Sequence, residues 1–112
     1  METKTAVAAL LRSKAAEVGF PEFFRGDLDH DCHTLEEMEK AGEPLRFGWV
    51  LRQAGTHLVW PGPEAGKVLR HILAIQRQKG GPEADPHVYF FFDGERLIAV
   101  SPEDLEERLI RG

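Results

Sequence analysis

Val88-Tyr89-Phe90-Phe91-Phe92-Asp93-Gly94-Glu95-Arg96-Leu97-Ile98-Ala99-Val100 is the stretch that decides the fold. Two apolar runs flank Asp-Gly, a dipeptide that tolerates positive φ at both centres of a type I′ turn. The stretch therefore predicts a β-hairpin with Asp93 and Gly94 at its tip. Side chains alternate across a strand, so Val88, Phe90, Leu97 and Ala99 share one face while Tyr89, Phe91, Ile98 and Val100 share the other. Both faces are apolar. Such strands are covered on both sides, by helices or by a second subunit. Large exposed apolar patches are uncommon on monomers, so a homodimer is expected if the helices cover one face only.

The segments around the hairpin supply helices. Ser101-Pro102-Glu103-Asp104 opens one after it: Ser101 is the N-cap, Pro102 the first helical residue, and Leu105, Leu109 and Ile110 dock it. Residues 63–79 form another. Ala65, Val68, Leu69, Ile72, Leu73 and Gln76 recur on one side, with Lys67, Arg70, His71 and Arg77 largely off that stripe. Gly66 costs this helix roughly 1 kcal/mol relative to alanine. Upstream, Leu45, Phe47, Trp49 and Leu51 alternate with Arg46, Gly48, Val50 and Arg52, a period-two strand. It returns through His57-Leu58-Val59-Trp60. Pairing Arg52 with His57 sets Leu51 opposite Leu58 and Trp49 opposite Trp60, with 53–56 as the turn. Arg46, Arg52 and His57 then share the opposite, more polar face.

Residues 4–18 read as a helix through Val7, Leu10, Leu11, Ala15 and Val18, stopped by Gly19. Phe20, Phe23 and Phe24 follow in an irregular stretch, where they plug the core. Thr34-Leu35-Glu36-Glu37 has the pattern of a capping box and starts a short helix that ends at Gly42. The order is α-α-ββ-α-ββ-α. That is a single α+β domain over residues 1–112, with one four-stranded, mostly antiparallel sheet.

Composition narrows the function. The chain has 112 residues and a net charge of −5, with one cysteine. A lone thiol excludes an internal disulfide and fits a reducing, cytoplasmic setting. No apolar run near the start is long enough for a signal peptide or a membrane span. Charge is segregated. Residues 1–44 carry 5 basic and 10 acidic groups, residues 45–79 carry 6 and 1, and residues 80–112 carry 3 and 8. The middle segment either faces the protein's own acidic elements or presents Arg46, Arg52, His57, Lys67, Arg70 and Arg77 to a partner. The overall acidity disfavours a general nucleic-acid role, since phosphate binding follows local positive charge.

Two places have residues with reactive chemistry. Asp27-Leu28-Asp29-His30-Asp31-Cys32-His33 has the residue types of a metal site. As a calcium loop it fails, because Cys32 stands where glycine is needed and Met38 where the bidentate glutamate is needed. As a zinc site it offers His30, Cys32 and His33, and the alternative is an acidic loop at a helix N-terminus. No metal or other cofactor is expected. The second place is Arg46, Arg52 and His57, where an imidazole beside guanidinium groups could act as a general base near a phosphate. There is no phosphate loop and no dinucleotide fingerprint.

Gly48-Trp49-Val50-Leu51-Arg52-Gln53-Ala54-Gly55-Thr56-His57-Leu58-Val59-Trp60 resembles the hairpin of HicA-type toxins, small mRNA interferases. Their hairpin has a Gly-aromatic start, a basic residue, then Gly-Ser-His or Gly-Gly-His. The resemblance covers 13 of the 112 residues, with Thr56 in place of the serine. It implies a ribonuclease with His57 catalytic and RNA as its partner. The residues themselves point first to a non-catalytic interaction or regulatory module that binds a protein, such as an inhibitor carried by a phage or mobile element. The HicA-like ribonuclease and a metal-binding regulator using residues 27–33 are the alternatives.

Overall fold

In a computed structural model, residues 6–18, 25–52, 55–78 and 87–111 are described. They form α1 (Val7–Glu17), α2 (Arg25–Lys40), β1 (Phe47–Arg52), β2 (Gly55–Val59), α3 (Ala65–Gln78), β3 (Val88–Phe92), β4 (Leu97–Val100) and α4 (Pro102–Ile110). The strands make one sheet in the order β2-β1-β3-β4, and each neighbouring pair is antiparallel. This is the α+β architecture that the order of elements predicts.

The doubly apolar hairpin is covered twice by its own chain. On one face, Phe47, Trp49, Leu51, Phe90, Phe92 and Leu97 pack with Val7 and Leu11 of α1 and with Leu28, Cys32 and Leu35 of α2. On the other, Val50, Val59, Tyr89 and Phe91 pack with Leu69 and Ile72 of α3 and with Leu105 and Leu109 of α4. The hairpin therefore needs no second subunit to cover it. Gly48 permits the second layer: a Cβ there would stand 2.9 Å from a methyl carbon of both Leu105 and Leu109. Helix α4 is capped as its sequence requires, with Ser101 Oγ accepting from the Asp104 amide at 3.0 Å.

Several expectations are corrected. Residues 25–33 are not a loop, because α2 begins at Arg25 and Thr34 lies in mid-helix, donating from Oγ1 to the His30 carbonyl at 3.0 Å. Leu28, Asp31, Cys32 and Leu35 form one buried stripe at helical spacing. A buried aspartate in that stripe hides the helix from a hydrophobicity pattern. The helix ends as predicted at Gly42, whose φ of 73° and neighbouring 6→1 bond, Glu43 N–H to Met38 carbonyl, make a Schellman stop.

Both hairpins are displaced by two residues from the expected register. Arg52 pairs with Gly55, Leu51 with Thr56, Val50 with His57 and Trp49 with Leu58. Trp60 therefore lies beyond the pairing, 40% exposed, with its ring 5.9 Å edge-on from Phe47. In the second hairpin Phe92 pairs with Leu97. Asp93 has no positive φ; Gly94 does, at 107°. Asp93 instead closes the turn, its carboxylate accepting from the Glu95 and Arg96 amides at 2.8 Å each. Both displacements are even, so the predicted face assignments survive. Three side chains leave their expected stripes: Val18 is 45%, Val68 42% and Ile110 50% exposed, so Leu105 and Leu109 alone of the three expected residues dock α4. Gly19, the three phenylalanines at 20, 23 and 24, the turn residues 53 and 54, and the side chains of Gln76 and Arg77 lie outside the described residues.

Candidate functional site

Strand alternation puts Arg46, Val50 and Arg52 on the face covered by α3 and α4, and pairing with Val50 puts His57 there too. Arg46 and Arg52 stand at opposite ends of β1, about 20 Å apart at the rise of an extended strand. Arg46 has a packing role: its guanidinium lies 5.1 Å from the centre of the Phe91 ring, which Arg108 of α4 also approaches at 5.4 Å. Arg52 is at the other end, half-buried with His57.

Two residues join Arg52 that the sequence reading did not single out. Tyr89 pairs with Val50 across β1 and β3. His87, just before β3, stacks on Tyr89 with ring centres 6.2 Å apart. Val50 stands between His57 and Tyr89, and Arg52 lies two residues further along β1 on the same face. Arg52 Nε and the Tyr89 hydroxyl are both sealed from solvent without a hydrogen-bond partner among the described residues. Burial raises the Tyr89 pKa, and the charge of Glu103 adds to the rise. The signal that could have found this pair is the polar end of an apolar strand, His87 and Tyr89 at spacing two.

Lys67 and Arg70 of α3 are on its outer surface. Lys67 meets Glu64 at 3.7 Å, and Arg70 meets Glu106 of α4 at 2.9 Å. The basic middle segment thus lies against the acidic C-terminal helix. A Cβ at Gly66 would come within 2.7 Å of Glu106 Oε1, the end of a flexible side chain that can shift away. The five described members of the predicted basic set therefore divide between the inner sheet face (Arg46, Arg52, His57) and the outer helix surface (Lys67, Arg70), while the Arg77 side chain lies outside the described residues.

Beside Lys67 runs a shallow apolar groove of about 270 Å³ between β2 and α3, lined by Leu58, Trp60, Pro61, Pro63 and Val68 among others. Pro61-Gly62-Pro63 turns the chain sharply from β2 into α3, with Gly62 at φ 140° and its amide bonded to the Leu109 carbonyl. That turn leaves Trp60 beside Val68, two large apolar side chains about two-fifths exposed. Glu64 and Val68, one helical turn apart, line its α3 side, and Lys67 and His71 are exposed on the same helix.

Helix α2 separates the proposed zinc ligands. Cys32 is fully buried, its thiol 3.7 Å from the Ala8 carbonyl, whereas His30 and His33 are exposed. Burial pushes the thiol pKa up to about 11, against a lowering by Arg12, so a thiolate ligand is disfavoured. Among the described residues, no three His, Cys, Asp or Glu side chains converge to hold a metal ion. Asp31 instead accepts from Trp49 Nε1 at 3.1 Å and from Thr56 Oγ1, tying α2 to β1 and β2. No described helix is long and apolar enough to cross a membrane. Comparison with protein-family models, curated proteins and solved structures finds no match, so the chemistry of these sites rests on the residues themselves.

Proposed function

We propose that this protein is a binding module for another protein, and that it seats an apolar anchor of the partner in the Trp60–Val68 groove. The observation that carries this reading is the pairing of those two exposed apolar side chains on rigid elements. An exposed tryptophan in a pocket is the kind of residue that dominates interface energies. The charged residue lining the groove is Glu64, which Lys67 meets at 3.7 Å, and Arg70 on the next turn is paired with Glu106, so apolar burial rather than charge selects the partner. A uniform polyanion such as RNA fits less well. Glu64 and Glu106 interleave with these cations, and the whole chain carries −5. The HicA-like ribonuclease is the weaker reading, because His57 lies half-buried on a sheet face covered by two helices.

A pull-down from native lysate with wild-type protein and Trp60→Ala tests the proposal. A stoichiometric protein retained by the wild type, lost with Trp60→Ala and shifting Trp60 fluorescence when purified and added back is the expected result. RNA in its place, or a protein retained equally by both forms, would overturn it.

A further inference from the structure

We propose, resting on the reading of the Trp60–Val68 groove as a protein-binding site, that the partner enters it as an extended segment and adds a fifth strand to the sheet at β2. Strand β2 is one edge of the sheet. Antiparallel pairs alternate between residues that exchange both backbone hydrogen bonds and residues that exchange none. The Asp93 N–H bonds the Arg96 carbonyl, which sets the phase of that alternation. Carried through the unbroken registers, it makes Phe91 bond Ile98, Phe90 bond Trp49, and Gly48 and Val50 bond Val59 and His57. Leu58, between those last two, therefore turns its N–H and C=O outward, away from β1. Neither group has a protein partner among the described residues.

The groove lies at the open end of this edge. Thr56, the other outward-turned residue of β2, is buried and tied to Asp31 of α2, so the edge is open toward Leu58 and Trp60. Leu58 and Trp60 line the groove from the sheet face that α1 and α2 cover, and Ala65 and Val68 line it from α3 on the opposite face. A segment seated there meets the Leu58 backbone as well as the apolar side chains. An extended segment returns both hydrogen bonds to Leu58 and sets alternate side chains against Trp60 and Val68. A helix has its own backbone groups already paired and would leave those of Leu58 without a partner. Gly55–Val59 contains neither the proline nor the lysine that commonly blunts a sheet edge. Pro61 and Pro63 lack an N–H and end the pairing beyond Trp60, so the added strand is short.

Panning a phage-displayed library of random peptides on the full chain supplies the probe, and the enriched peptides are synthesised for titration and for amide hydrogen exchange by NMR. Enriched peptides with apolar residues at every second position are expected. Trp60→Ala should weaken them about tenfold or more, and so should methylating one backbone nitrogen of the peptide, which leaves every side chain in place. In the free protein the Leu58 amide should exchange faster than those of His57 and Val59, and bound peptide should slow it about tenfold or more. Peptides that depend on Trp60 but space their apolar residues by three and four, or that leave Leu58 exchange unchanged, would overturn strand addition while keeping the groove. Peptides indifferent to Trp60→Ala, or no enrichment at all, would overturn the groove and the strand together. Protection of Leu58 in a dimer formed without peptide would make the occupant a second copy of this chain and would also overturn the proposal.

Discussion

Replacing Gly48 with alanine should destabilise the protein, although alanine is ordinarily the better strand residue. Removing a glycine's unfolded-state freedom favours the alanine variant by about 0.4–1 kcal/mol. Against this stands the space at the site. The new Cβ would lie 2.9 Å from Leu105 Cδ1 and from Leu109 Cδ1, and 3.2 Å from Leu105 Cδ2. Methyl ends can often swing away, but both leucines are fully buried between α4 and the sheet. Overpacking of that kind costs about 1–3 kcal/mol. The net loss should be about 1–2 kcal/mol, a fall in melting temperature of roughly 5–10 °C for a domain near this size. Urea unfolding of Gly48→Ala, Leu109→Ala and the double variant measures it. Leu109→Ala alone opens a cavity and costs about 2–5 kcal/mol, and the double variant should cost less than the sum of the two. A Gly48→Ala protein as stable as the wild type, or strictly additive losses, would mean that α4 does not sit on β1 as described.

Two more predictions follow from buried groups. Thr56→Val removes a donor to the buried Asp31 carboxyl and should cost about 1–3 kcal/mol in urea unfolding; in the register read from sequence Thr56 is a turn residue, and the change would be neutral. The Cys32 pKa rises in the folded protein from 9.0 to about 11, so between those values the native state holds more protons than the unfolded one. Its contribution is complete below pH 9 and is lost as pH rises toward 11. Denaturation curves across that range should fall more steeply for the wild type than for Cys32→Ala, and parallel curves would refute the assignment.

The amino-acid pattern alone marks which segments are strands, which side chains share a face, and that the Val88–Val100 hairpin is covered on both sides. These are local properties. Alternation has period two, and capping chemistry at Ser101 or a glycine stop at Gly42 acts within one turn. The same period two explains the shared error of both hairpins: sliding a strand by two residues returns every side chain to its own face, so hydrophobicity cannot tell the two registers apart. Tertiary contact chose between them. Asp31 on α2 takes Trp49 and Thr56 as hydrogen-bond donors, which draws Thr56 opposite Leu51 and leaves Trp60 at the surface. One buried carboxyl both concealed the start of α2 from a hydrophobicity pattern and accompanies the register that exposes Trp60. The neighbour of Val50 on β3 was likewise beyond the sequence. Tyr89 stands opposite it only because α3 carries the chain back over the sheet, so that β3 pairs with β1 rather than β2. No spacing along the chain records a neighbour made by that crossover.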